Sequence, residues 1–381
     1  MVHSFTERIV GILAKYFDAD AQTLLELSPL LKYLNVKTRS ADRGSKSRSS
    51  FANLYALYVL VEDYVQQGFE KTGNYSEYEG AYFTPLLRRM RSIPFGQRLQ
   101  NHALNNRLND EFHKCFPDED RRPILRKVER QRYWINESLL LVEISGRRLN
   151  IARAILDIID EYVATKKRSF ERFMSDCVKL SCAARTAAHD IGPFIRDLIS
   201  PERDARIFEI VSYAILKAYY GDDIVFIGPS RESAEPQPLH LFKTGRTNAN
   251  DGGIDFVMRP LGRFFQVTET LNVKKYFLDI DKIERYPISF VVKTNLSIPD
   301  VRALLEKGAR EQYGVDSVVR RYMEAIEEIF NVPRLLEILD EVIREGHVKE
   351  VLNEIVRWSK VEFSYIQEGE AATAADDDEE D

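Results

Sequence analysis

The chain holds only three cysteines among 381 residues, Cys115, Cys177 and Cys182, and no two of them form a CxxC pair. Its six histidines show no HxxxH or HExxH spacing. Both absences argue against a disulfide framework and against a zinc site. The longest apolar runs, such as Leu139–Val142 and Phe290–Val292, fall far short of the roughly 20 residues that span a bilayer. The opening MVHSFTERIV lacks the basic-then-apolar pattern of a signal peptide, so a cytoplasmic protein without membrane partners is expected. GxxxxGK[ST], GxGxxG and GxSxG are all missing. ATP-driven translocation, dinucleotide binding and the serine-hydrolase elbow therefore find no support.

What is present fits a soluble globular chain, with 44% hydrophobic and 30% charged residues and room for two or three domains. The net charge of −6 is misleading as an average. Asp376–Asp381 are six acids in a row and carry that −6 by themselves, so the rest is neutral. Residues 366–381 read as a disordered acidic tail, either a solubility tail or a shield for a basic groove.

Hydrophobic periodicity divides the remainder. Residues 1–35, the FANLYALYVLVEDYVQQ run, parts of 82–112, and 149–187 show helical spacing. After Asp190–Pro193 or Ser200-Pro201 the pattern changes. A helix over 203–220 is followed by strand-like 224–227, 239–243, 254–258, 264–268 and 288–293. Helices are predicted near 272–285, 300–313 and 316–330, with two more over 333–361. The fold class expected is α+β or α/β, a mainly helical domain over 1–195 followed by an α/β domain over 196–365.

The stretch that carries chemistry is Asn250-Asp-Gly-Gly-Ile-Asp255-Phe-Val-Met258, a turn through Pro260 and Gly262, and Arg263-Phe-Phe-Gln-Val-Thr-Glu269. It reads as a hairpin with Asp255 at the start of one strand and Gln266 and Thr268 on one face of the next. An acid beside an amide oxygen on adjacent strands suits a hard cation with oxygen ligands. Each residue also has an ordinary role available: DGG as a turn, Gln266 as a ladder residue, Glu209 as the polar face of a helix.

GGID, a short turn and a strand bearing Gln-x-x resemble the Mrr-like branch of the PD-(D/E)XK nucleases, and the likeness covers residues 203–293. The resemblance implies a restriction-endonuclease-like core, a central mixed sheet flanked by helices. It implies Asp255 as the main ligand of Mg²⁺ (with Mn²⁺ as a substitute), Gln266 as the second, and Glu209 on the preceding helix as the third. The family pattern places Lys at 268, where this chain has Thr268. Lys243, Lys293 or Lys275 from a neighbouring element, or a second metal, are the ways to supply the missing charge. Glu269 points to the opposite strand face.

In the N-terminal half, Lys37, Arg39, Arg43, Lys46 and Arg48 form a basic stretch among small residues and lead into a helix. Arg reads guanine edges, and helix N-termini favour phosphate oxygens. Asn101 and Asn105, in Gln100-Asn-His102 and Asn105-Asn-Arg107, are suited to adenine. The expectation is a type II restriction endonuclease that cuts double-stranded DNA as a homodimer, with a cognate DNA methyltransferase as companion. A DNA-binding module without catalysis, and a nuclease directed at RNA, are the alternatives.

Overall fold

Buried Ile9, Ile12 and Leu13 recur at helical spacing and fold Thr6–Phe17 as helix α1. The computed structural model describes residues 2–39, 41, 47–97, 99–182, 188–201, 203, 205–244 and 254–363. They separate into two compact units, Met1–Phe173 and Met174–Asp381. The division falls earlier than the 195/196 boundary expected from the change of periodicity. The acidic tail lies outside the described residues.

In the first unit, α1 is followed by α2 (Ala21–Leu27) and α3 (Pro29–Thr38). The single expected helix is broken because Ser28 caps α3, its Oγ accepting from the Leu31 N–H, and Pro29 follows at the first helical position. Helix α4 (Ser47–Gln66) is apolar nearly all round. Leu54, Tyr55, Ala56, Leu57, Val59, Leu60 and Val61 are all buried, as in a helix at the centre of a core. Then come α5 (Phe69–Thr72), β1 (Ala81–Tyr82), α6 (Phe83–Ser92) and α7 (Leu108–Cys115), the last preceded by a π-helical turn over Ala103–Arg107.

Strands β2 (Ile124–Lys127) and β3 (Arg132–Ile135) join β1 in an antiparallel sheet ordered β1-β3-β2. Helix α8 (Glu137–Leu140) runs directly into β4 (Leu141–Ile144), which pairs with β5 (Arg147–Asn150). Their two-residue turn, Ser145-Gly146, has positive φ at both positions, the conformation that matches the twist of a tight hairpin. Helix α9 (Ala152–Cys182) closes the series and carries the division between units. The sheet of β1, β2 and β3 was not expected, whereas the apolar run 139–142 left open either a short strand or a helix start and holds the end of α8 and the start of β4. Strands of two to four residues are too short for alternation to register in sequence.

The second unit begins with α10 (Ala188–Ile199), α11 (Ala205–Tyr220) and a hairpin of β6 (Ile224–Ile227) and β7 (Glu235–Pro238). Its centre is a five-stranded mixed sheet in the order β12-β11-β10-β9-β8. Strands β8 (His240–Lys243), β9 (Phe256–Arg259) and β10 (Arg263–Thr268) are antiparallel neighbours. Helix α12 (Val273–Lys282) then leads to β11 (Ile288–Val292), parallel to β10. After α13 (Ile298–Tyr313) and α14 (Asp316–Glu324), β12 (Ile326–Phe330) adds in parallel. Helices α15 (Val332–Arg344) and α16 (Val348–Phe363) follow.

All five residues of β11 are buried, as a strand covered on both faces requires. On one face Phe264 and Phe290 meet α12, with the Phe290 ring 4.7 Å from Tyr276. On the other, Phe265 lies 6.1 Å from Phe330 and 6.5 Å from Phe256, which stands 5.2 Å from Tyr213 of α11. The chain is thus a mixed helix-and-sheet protein. The elements of this unit that differ from expectation include α10, which spans the expected boundary, β7, in a stretch where no strand was expected, and β12, expected as the end of a helix. IEEIF places its apolar residues three and four apart, a spacing that a short buried strand shares with a helix.

Candidate active site

The hairpin expected from Asp255 to Thr268 forms, with Gly262 at φ +69° in its turn. Asp255 stands just before β9. Its N–H donates to the Phe265 carbonyl at 2.9 Å, and its own carbonyl accepts from the Thr244 N–H at 2.9 Å. The backbone is therefore held on both sides. The carboxylate is buried, and its Oδ2 accepts the Val267 N–H at 2.7 Å. Burial pushes the carboxyl up to about 7, and the charge of Glu209 adds to that rise. The Val267 N–H and the charges of Lys243 and Lys275 pull the other way.

Glu209 projects from α11, and its carboxylate pairs with the Lys243 ammonium at the end of β8. Lys243 is nearly buried and lies 5.7 Å over the Trp358 ring. Lys275, on α12, is exposed to solvent. Glu209 and Lys243 are in contact, and they and Lys275 lie near enough for their charges to act on the Asp255 carboxyl.

Gln266 is paired in register with Phe290 and is buried on the α12 face. Its Nε2 donates to the Val267 carbonyl at 3.2 Å, whereas its Oε1 has no partner among the described residues. A buried amide oxygen left unpaired costs about 1–3 kcal/mol, so its retention calls for a reason. Thr268 follows on the same face, its hydroxyl donating to the Thr270 carbonyl at 3.1 Å.

Lys293 sits elsewhere in the bonding pattern. Its ammonium donates to the Arg203 carbonyl and lies 3.7 Å from Glu269. Among the described residues no group of three His, Cys, Asp or Glu side chains is arranged to hold a metal ion. A cation here would need the Gln266 oxygen as well as the carboxylates.

The nucleic-acid residues expected in the first unit fare unevenly. Lys37, expected in a loop, lies in the last turn of α3, pairs with Glu111 and stands 5.4 Å over the Tyr33 ring. Arg39 is exposed just beyond α3. Arg43 and Lys46 lie outside the described residues, and Arg48 falls in the first turn of α4. Asn101 is half-buried in a turn, its carbonyl accepting from the Asn105 N–H at 3.2 Å. Asn105 is in the π-helical turn, and its Oδ1 accepts from the Tyr133 hydroxyl at 3.2 Å.

Sequence reading missed the Val267 N–H, because a backbone donor leaves no trace in residue type. It also missed Trp358, which only the packing of α16 brings to Lys243. Comparison with protein families, curated proteins and solved structures found nothing that matches the chain. Among the described residues no helix is long and apolar enough to cross a membrane.

Proposed function

We propose that the second unit is the core of a metal-dependent endonuclease of the type II restriction class, cutting double-stranded DNA in host defence. The observation that carries this reading is the buried Asp255 beside Glu209, Lys243 and Lys275, at one end of the β9–β10 hairpin. The element order supports it. Leaving aside the separate β6–β7 hairpin that follows α11, the order helix, three antiparallel strands, helix and parallel strand (α11, β8-β9-β10, α12, β11) is the one implied by the PD-(D/E)XK resemblance.

The residues present fit a hard divalent cation such as Mg²⁺, with Mn²⁺ as a substitute. A buried carboxyl whose ionisation the charge of Glu209 makes costlier, and a buried amide oxygen without a partner among the described residues, are oxygen donors of the kind a hard cation takes. Asp255, Gln266 and Glu209 would hold the ion. When bound, it supplies Lewis acidity and a nucleophilic water at neutral pH. The chain's own residues do the rest. Val267 orients the Asp255 carboxylate through its N–H. Lys243 neutralises Glu209. Exposed Lys275 offers a phosphate oxygen the positive charge that Thr268 does not, a charge-assisted contact. Cutting both strands calls for two copies of the chain, and a companion methyltransferase would protect the host's own DNA.

A second reading, a DNA-binding module without catalysis, is favoured by the engagement of Lys243 with Glu209 together with Thr268. The two separate in one experiment: unmethylated plasmid and phage DNA incubated with Mg²⁺ and either wild type or Asp255→Asn. Discrete fragments from the wild type alone support the nuclease. Duplex binding with no cleavage on several DNAs leaves the binding module. Equal cleavage by both proteins removes Asp255 from the reading.

A further inference from the structure

A second cleft lies against the open edge of the sheet. Strand β8 ends the five-stranded order and, among the described residues, pairs only with β9. Between it, α11 and α16 is a cleft of about 490 Å³, within the usual range of roughly 300–1,000 Å³ for small-molecule sites. Three aromatic rings, Tyr213, Phe242 and Trp358, form its walls beside three cations, Lys217, Lys243 and Arg357.

The indole is fixed in place. Its N–H donates to Glu354 Oε1 at 2.8 Å, the same oxygen lies 2.9 Å from the Lys217 ammonium, and Tyr213 meets it edge-on at 5.8 Å. Phe242 is 48% exposed. Arg357 is exposed. Lys243 belongs both to this cleft and, through Glu209, to the site around Asp255.

Aromatic faces accept any base by stacking, and the surrounding cations accept phosphate. Glu354 pairs with Lys217 and Glu209 with Lys243, which leaves exposed Arg357 as the wall cation without an ion pair among the described residues, so the cleft favours a ligand that carries negative charge. We propose that this cleft binds one unpaired nucleotide next to the phosphate to be cut, its base against Trp358 and Phe242 and its phosphate on Lys217 and Arg357. In a duplex that nucleotide must leave the stack, as in other enzymes that extrude a base into a pocket. The placement next to a cut phosphate rests on the nuclease reading, whereas the affinity for a nucleotide does not.

The chain has two tryptophans, so Trp134→Phe leaves Trp358 as the only indole reporter. This variant is titrated in EDTA with thymidine monophosphate and with a five-nucleotide single-stranded DNA. The expected result is saturable quenching, weakened about tenfold by Arg357→Ala at an unchanged urea midpoint and untouched by Asp255→Asn. If Trp134→Phe fails to fold, the difference between wild type and Trp358→Phe reads the same signal. Absence of saturable quenching by both probes overturns the proposal, as does quenching that neither Arg357→Ala nor Lys217→Ala weakens. Quenching by a protein that cuts no DNA upholds the cleft and removes the nuclease. Cutting without quenching does the reverse.

Discussion

Replacing Asp255 with asparagine is expected to stabilise the protein above pH 7 and to change little near pH 4. The carboxyl is buried beside Glu209, and its pKa rises from the ordinary 3.8 to about 7. The folded chain therefore holds a proton that the unfolded chain releases. This contribution to stability is fully present below pH 4 and is lost as pH rises through 7. A gap of about three pH units corresponds to a ceiling of ~4 kcal/mol, since one unit is about 1.4 kcal/mol. Asparagine keeps the shape and still accepts the Val267 N–H, but that bond loses its charge assistance, worth ~1 kcal/mol. The sharing of charge among Asp255, Glu209 and Lys243 lowers the gain further. The expected result is a variant more stable than wild type by ~2 kcal/mol at pH 8.5, with the gain fading toward pH 4. Urea denaturation at the two pH values, without divalent cations, measures it. An equal effect at both, or destabilisation at pH 8.5, would refute the reasoning.

Other outcomes follow from the same geometry. Lys275→Ala is expected to lower the cleavage rate about 10²- to 10³-fold while duplex affinity changes little, and Lys275→Arg to restore part of the rate; single-turnover cleavage and filter binding separate the two effects. Gln266→Leu removes the unpaired Oε1 and is expected to raise stability by about 1 kcal/mol in EDTA, while Mg²⁺ no longer shifts the urea midpoint. Glu111→Ala leaves Lys37 half-buried without its carboxylate and takes one acceptor from Asn53, so a loss of about 3 kcal/mol is expected in thermal or urea unfolding. Lys37→Met, by contrast, is expected to leave the salt dependence of duplex binding unchanged, because its charge is already neutralised.

The β9–β10 hairpin, β11 and most helices of the second unit were legible because each has a clear period and a turn or cap at its ends. Ser297, for example, caps α13, accepting from the Asp300 N–H, with Pro299 in the first turn. In the candidate site, Asp255 and Gln266 could be named from their spacing on adjacent strands, and Glu209 only through the PD-(D/E)XK resemblance. Their environment could not. The unpaired Gln266 oxygen, the Val267 N–H on Asp255 and the Lys243–Glu209 pair depend on register and on helix packing, which residue type does not encode. Lys37, a basic residue among small polar ones read as a phosphate contact, pairs with Glu111, and that pairing too depends on helix packing which residue type does not encode. The strands β1 to β3 escaped because tertiary pairing, not local pattern, makes so short a segment extended.

The central claim is that Asp255, Glu209 and Gln266 form a site for one hard divalent cation. Calorimetric titration of the purified chain with Mn²⁺ at pH 8 tests it most directly, with Asp255→Asn and Gln266→Leu alongside. One Mn²⁺ per chain on the wild type, with binding abolished by the first substitution and weakened at least tenfold by the second, is the predicted result. Mn²⁺ binding that is absent from the wild type, or equal in all three proteins, would contradict it.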